Sequence, residues 1–503
     1  MPGLTNWRNV YLLTIPLRVV FALSNSYIHP DEHFQTIEVL SRRILGYSTN
    51  IPWEFDAAAK PARSLVPLYF VYGPLLYVVK WCKVQLDPVQ IWYLLRLQLC
   101  LLSWLVTDLC LYKMSPSKNE RIKSIFFTST SFVTFVFQSH LFSNSVETLV
   151  LLLAVCTIDD LKLAMESETT EAEENDEKKT TKKTTKSKTL VWLGALVAFG
   201  IFNRVTFPAF LILPSWYLLQ YMLTRPMSIC YISLGLLLTS TAIIFADTAL
   251  FQSDHYVVAP LNNLIYNSRL ENLSQHGLHS RYTHLVINLP QLMGPGILFV
   301  VSRKKYYIKS TAFLAALSGM IFLSFVPHQE LRFLVPVVPL LCCSFDLDKK
   351  WIGPWTIYLW YAFNGAMSVL MGVYHQGGVV PALSYFKEKN LHGVQVWWHT
   401  YSPPSWILGS ESVETLSLTD DVNHGKHFTI IDAMGSDLDK VVQKLDEVWS
   451  KESKPVYLVT PLASFTHLDA SRFNPVWNYT HHIDLDHIDW SNFQTGLGIY
   501  ELI

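Results

Sequence analysis

Residues 29–33 read HPDEH, two adjacent carboxylates, Asp31 and Glu32, between His29 and His33 at the edge of the first apolar run. Charge beside a bilayer is costly and persists where it is paired or used. A carboxylate there can take the proton of an attacking hydroxyl whose partner never leaves the lipid. Capping is the plain alternative, because acids favour the positive end of the helix that Pro30 announces. A third chemistry is zinc, since His29, Glu32 and His33 match the H-x-x-E-H spacing of one peptidase class. Pro30 suits the first helical position, which makes His29 a cap rather than a ligand facing His33, and no third ligand follows. The strip YIHPDEHFQTIE reads as an interfacial amphipathic helix, with Phe34, Ile37 and Leu40 toward lipid and Asp31, Gln35 and Glu38 toward water.

A second cluster, PHQELRF (327–333), sets His328, Glu330 and Arg332 between two apolar runs. The planar fork of Arg332 suits a phosphate, which accepts paired hydrogen bonds. Asp247 lies within an apolar run, where an acid suggests function. The loop after it is dense in Asn, His, Arg and Tyr, groups that hydrogen-bond sugar hydroxyls. In HLFSNSVETL, Asn144 and Glu147 fit a plain turn as well as a site.

The elements that must hold these groups are set by composition. The chain has 503 residues, 50% hydrophobic and only 16% charged, against about 25% in ordinary soluble domains. Apolar runs near bilayer length recur through residues 1–375, in about ten or eleven spans, predicting a polytopic α-helical membrane protein. A net charge of −1 gives no case for nucleic acid. The seven cysteines lie in or beside apolar runs and suggest neither a disulfide framework nor a zinc knuckle.

Arg8 precedes the first span, read as a retained signal-anchor, so residues 24–64 fall on the non-cytosolic side. Basic segments at 113–123, 303–305 and 348–350 prefer the cytosol, which returns 276–284, 327–333 and the tail to the side of Asp31. The Pro- and Gly-interrupted run at 64–81 breaks this parity if it spans. Residues 159–188, an acidic block followed by a basic one, read as a disordered cytosolic loop. The tail, 376–503, alternates strand-like runs (HFTIIDAM, PVYLVTPLA) with the helical DLDKVVQKLDEVWSK, predicting a small soluble α/β domain. Sequons at Asn272 and Asn478 fall on the non-cytosolic side.

HPDEHFQTIEVL, SNSVET and HQELRF together resemble the motifs of glycosyltransferase family 22, membrane mannosyltransferases that use dolichyl-phosphate mannose. The long loop PLNNLIYNSRLENLSQHGLHSRYTHLVINLPQLMGP and VWWHTYSPPSWILG resemble the branch that adds the fourth mannose to glycosylphosphatidylinositol (GPI) anchors. The resemblance covers about residues 10–410. It implies a C-type glycosyltransferase fold with a large first lumenal loop and an active site facing the lumen of the endoplasmic reticulum. It also implies α1,2 transfer with inversion to the third mannose of a GPI precursor, with no nucleotide or metal cofactor.

On that reading Asp31 is the base, with Glu32 as substitute. His328 and Arg332 contact the donor phosphate, and Glu330 fixes Arg332. His29 and His33 position donor or acceptor. Asp247, His276, His279, Arg281, Tyr282 and His284 are candidates for the acceptor glycan. Sister mannosyltransferases acting on the third anchor mannose or a dolichol-linked oligosaccharide share the first motif. A transporter or scramblase is the rival of another class.

Overall fold

A computed structural model describes residues 6–503 except 59, 84, 175–184, 270, 273–276, 302–304, 349–351, 423–424 and 452–453. The helices that matter below are α1 (Trp7–Ala22), α2 (Pro88–Met114), α3 (Ser143–Glu174), α4 (Ser187–Asn203), α5 (Met227–Phe251), α6 (Ala259–Asn267), α7 (Thr311–Ser324) and α8 (Pro354–Val369). Among the described residues α2 and α5 are each long and apolar enough to cross a bilayer. Leu101, Leu105 and Leu109 of α2 and Leu237, Leu238 and Phe245 of α5 are exposed, a surface that suits lipid rather than water.

α4 and α5 pack closely because each offers a glycine to the other's backbone. A Cβ on Gly194 would lie 2.2 Å from the Ile232 carbonyl oxygen, and one on Gly235 2.0 Å from that of Val191. Small residues are what allow helix backbones to touch in this way. The interrupted run at 64–81 folds as two short consecutive helices, Val66–Val71 and Gly73–Trp81. Its start is fixed by buried Asp247, whose carboxylate accepts from the backbone N–H of Leu65 (2.9 Å) and Val66 (3.2 Å).

The acidic half of the 159–188 segment is helical, contrary to the expected loop: α3 continues without a break to Glu174. Glu, Lys, Ala and Met are good helix formers, and Lys162 lies 3.9 Å from Glu166 one turn on. The basic half falls mainly outside the described residues.

Residues 393–502 carry a six-stranded sheet of β1 (Gly393–Trp398), β2 (Val413–Ser417), β3 (Phe428–Met434), β4 (Val456–Pro461), β5 (Phe473–Tyr479) and β6 (Leu497–Leu502), with α9 (Leu438–Lys451) between β3 and β4. The order is β2-β3-β1-β4-β6-β5, parallel from β2 to β4 and antiparallel through β6 and β5. Strand alternation gives the sheet two apolar faces. Val396, Ile431 and Leu458 pack with Val441 and Leu445 of α9. Trp397, Ile430, Val459 and Ile499 join the core of the helical part instead. The tail is therefore built onto the helices through a buried face, and this contact decides what surrounds the HPDEH helix.

Candidate active site

Residues 31–45 form one helical stretch with two wide π turns, ending at Gly46 in the left-handed region (φ 84°). His29 caps it: its Nδ1 accepts the backbone N–H of Asp31 at 3.2 Å, the role that keeps an orphan helix N–H satisfied. Successive residues of a helix point about 100° apart, so Asp31 and Glu32 cannot share a direction. Asp31 faces a cavity of about 910 Å³, together with His29, Arg63, Arg204, His328 and Arg332.

Arg332 is the hub of that wall. Its Nη2 lies 2.5 Å from Asp31 Oδ2, and its Nε donates to Glu330. His328 Nε2 is 2.6 Å from the other Glu330 oxygen, and its Nδ1 is 3.1 Å from the Gly277 carbonyl. His29 stands 3.8 Å from both Asp31 and Glu330. Burial alone would raise the Asp31 carboxyl, but Arg332, and His29 after it, hold it below the ordinary aspartate range. Burial lowers His328, yet Glu330 outweighs that and leaves its imidazole above the ordinary histidine value. Arg332 Nη1 is buried and has no hydrogen-bond partner among the described residues, an unused donor beside the cavity.

Glu32 turns the other way and does not line the cavity. It is fully buried, 3.9 Å from His140 Nε2, and burial pushes its carboxyl up to about 8 against the pull of Arg96. Arg96 in turn lies 2.9 Å from the same His140 nitrogen. Glu32 does not line the cavity, so its expected use as a substitute base is corrected. His33 is likewise away from the cavity, sealed by Tyr27, Trp92 and Trp406, and Trp406 Nε1 donates to its Nδ1 at 3.1 Å.

The amphipathic reading of this helix is also corrected. Glu38, Ile37 and Leu40 are all buried, because residues 405–408 of the tail cover the face expected to meet water. Glu38 accepts from the Ser405 N–H (2.8 Å), the Ser405 hydroxyl (2.7 Å) and the Trp406 N–H (3.0 Å).

Asp247 stays at the start of the 66–81 helices and does not reach the cavity. His276 lies outside the described residues. His279, Arg281, Tyr282 and His284 do not line the cavity either; the contacts of His279, Arg281 and His284 brace the loop that carries His328. The His279 N–H donates to the Pro327 carbonyl (2.8 Å), Gln329 N–H donates to His279 Nδ1 (3.3 Å), and His284 N–H donates to the Gln329 side chain (2.9 Å). Arg281 donates to the Phe325 carbonyl, and Tyr282 is 61% exposed. Asn272 donates to the Tyr266 carbonyl (3.0 Å), and Asn478 is exposed on β5.

Two arginines on the cavity escaped the sequence reading. Arg204, at the end of α4, is held by Glu147 (3.1 Å), the Ser143 hydroxyl (3.0 Å) and Asn144 Oδ1 (3.3 Å), so SNSVET is the seat of a buried cation. Arg63 donates to Glu54 at 2.9 Å, and Gln35 donates to the same carboxylate at 3.0 Å. A lone arginine at the end of an apolar run looks like an ordinary flank; only the third dimension supplies its carboxylate. Another stretch of lining is apolar, with Ile212, Phe322, Phe325 and Val326, three of which are exposed.

A charged pocket with an apolar flank open to a lipid-suited surface fits group transfer from a lipid carrier. Comparison with known proteins bears directly on this. The sequence profile of the Alg9-like mannosyltransferase family matches residues 9–409. The chain belongs to that family. It is a membrane glycosyltransferase. It is 55% identical to the GPI mannosyltransferase 4 of Candida albicans and 50% identical to that of Debaryomyces hansenii, over 99% of each chain. Its fold is similar to that of ArnT from Cupriavidus metallidurans, solved bound to undecaprenyl phosphate, with a TM-score of 0.53, 11% identity and 98% of each chain covered. That likeness bears on the fold alone, and it agrees with the expected C-type glycosyltransferase architecture.

Proposed function

We propose that this chain transfers mannose from dolichyl-phosphate mannose to the third mannose of a GPI precursor, forming the α1,2 linkage with inversion. Full-length relatives at 50–55% identity that bear the name GPI mannosyltransferase 4 support the substrate. The observation that carries the chemistry is the Asp31–Arg332 pair on the cavity wall.

The acceptor hydroxyl attacks the anomeric carbon as the bond from that carbon to the phosphate oxygen breaks, and Asp31 takes the hydroxyl proton. A phosphate is a good leaving group, so it needs charge stabilisation rather than protonation. Arg332 and the imidazolium of His328 supply that charge. Arg332 Nη1, a buried donor with no partner among the described residues, is the group left for the phosphate, while Nη2 keeps Asp31 ionised and aligned. As the phosphate draws on Arg332, the pull on Asp31 weakens and its proton affinity rises when the base is needed. The polyprenyl tail lies along Ile212, Phe322, Phe325 and Val326, where it never leaves an apolar environment. Arg204 and Arg63 add positive potential to a pocket that must hold an anion.

The reaction so drawn uses no cofactor. The cavity faces the lumen of the endoplasmic reticulum, with the loop between α1 and α2 and the 376–503 unit on the same side. Mass analysis of GPI precursors tests the reading: cells relying on Asp31→Asn should accumulate the three-mannose intermediate. Normal four-mannose precursor in that strain would refute it.

A further inference from the structure

Asp247, His279, Arg281, Tyr282 and His284, first expected to touch the acceptor glycan, do not line the cavity. The lining offers a surface that the proposed chemistry does not use. Trp53 and Tyr266 meet with ring centroids 4.1 Å apart, tilted by 32°, and both line the cavity. Tyr266 belongs to α6, which also brings Asn263 and Asn267 to the lining. Asn267 Nδ2 donates to Asn263 Oδ1 at 2.9 Å and to its carbonyl at 3.0 Å, which orders the two amides. Trp53 lines the cavity and is 39% exposed.

An aromatic surface beside ordered amides has the chemistry of a carbohydrate site. The C–H face of a pyranose packs on the electron-rich ring face, and its hydroxyls pair with amide groups that both donate and accept. The surface is also tied to the reacting end. Trp53 adjoins Glu54, Glu54 accepts from Gln35 at 3.0 Å, and Gln35 lies one helical turn after Asp31 on the same side of the helix. No cation lies in the Trp53, Tyr266, Asn263 and Asn267 group, which suits a neutral sugar rather than the donor phosphate.

We infer that Trp53 and Tyr266, with Asn263 and Asn267, form the subsite for the acceptor's terminal neutral hexose, holding its hydroxyl toward Asp31. This rests on the mannosyl transfer proposed above, but binding and transfer can be measured separately. In the full-length protein, Trp53→Ala should raise the KM for a trimannosyl GPI precursor by about tenfold, while the KM for dolichyl-phosphate mannose stays unchanged. Trp53→Phe, which keeps a ring, should restore most of the loss, and Tyr266→Ala should behave like Trp53→Ala. A pure stability defect would instead lower the amount of active enzyme and leave both KM values alone, which would overturn the inference.

The second arm is saturation-transfer NMR of a synthetic mannotriose with the purified full chain. Binding should be present in wild type and in Asp31→Asn and lost in Trp53→Ala. Equal binding to wild type and Trp53→Ala contradicts the subsite. Mannotriose binding that depends on Trp53, in an enzyme that transfers no mannose, would leave the subsite standing and refute the transfer.

Discussion

Two knots of charge lie back to back on the helix that begins at Asp31, and they obey different rules. On the cavity side, Asp31, Glu330, Arg332 and His328 are paired, and both carboxylates sit below their ordinary pKa range. On the inner side, Glu32 and Glu38 are fully buried, and burial raises each to about 8, while the His33 imidazole falls to about 3. Adjacent residues of the same type thus become an ionised group poised at a pocket and a proton-bearing strut inside the fold. Proximity in sequence therefore says little about shared chemistry; the helical rotation between neighbours decides it.

Neutralising each acid in turn separates the two sides of the helix. Asp31→Asn should lose at least about a hundredfold in mannosyl transfer, the usual worth of a general base. Glu32→Gln should keep most of the activity, because the native side chain already carries a proton near neutral pH. Equal losses in a microsomal assay would erase the distinction. Next in size, Arg332→Lys should cost about tenfold, since a point charge cannot hold Asp31, Glu330 and a phosphate at once. Kinetics matching wild type would remove the guanidinium from phosphate binding.

On the inner side the readout is stability. Glu38→Ala orphans the Ser405 and Trp406 N–H groups, and each buried group left unsatisfied costs about 1–3 kcal/mol. Thermal unfolding in detergent should drop markedly for Glu38→Ala and less for Glu38→Gln, which retains an acceptor. A Glu38→Ala protein as stable as wild type would show that the tail does not depend on this contact.

The smallest effect is in pH. The raised pKa of His328 means that its charged pairing with Glu330 is complete below the ordinary histidine range and is lost as pH rises through the folded value. The depressed pKa of Asp31 runs oppositely: its contribution holds above the ordinary aspartate range and is lost as pH falls through the folded value. Activity should therefore decline on the alkaline side, and His328→Gln should remove that limb from the pH–rate profile while leaving the acid limb.

Much of the cavity-side knot was legible in the sequence, because ionisable groups in HPDEH and HQELRF stood out against apolar flanks. The membrane class followed from composition, and two of the six strands of the tail, β3 and β4, from their short apolar runs on either side of a helical stretch. The inner knot was not legible. Glu38 looked solvent-facing because periodicity describes a helix alone, and nothing in residues 31–45 signals that Ser405 and Trp406 cover it. The acceptor candidates mislead for a related reason: polar residues suit sugars, but His279, Arg281 and His284 brace the His328 loop instead. Arg63 and Arg204 were overlooked because their carboxylate partners lie on other segments.

In this mechanism a lipid-borne phosphate meets Arg332 with Asp31 alongside, and a structure of the full-length protein with dolichyl phosphate is the decisive measurement. The phosphate should lie within hydrogen-bond distance of Arg332 Nη1 and His328, with its tail along Phe322 and Phe325. A phosphate bound elsewhere, with the Asp31–Arg332 pair undisturbed and remote from it, would overturn the mechanism.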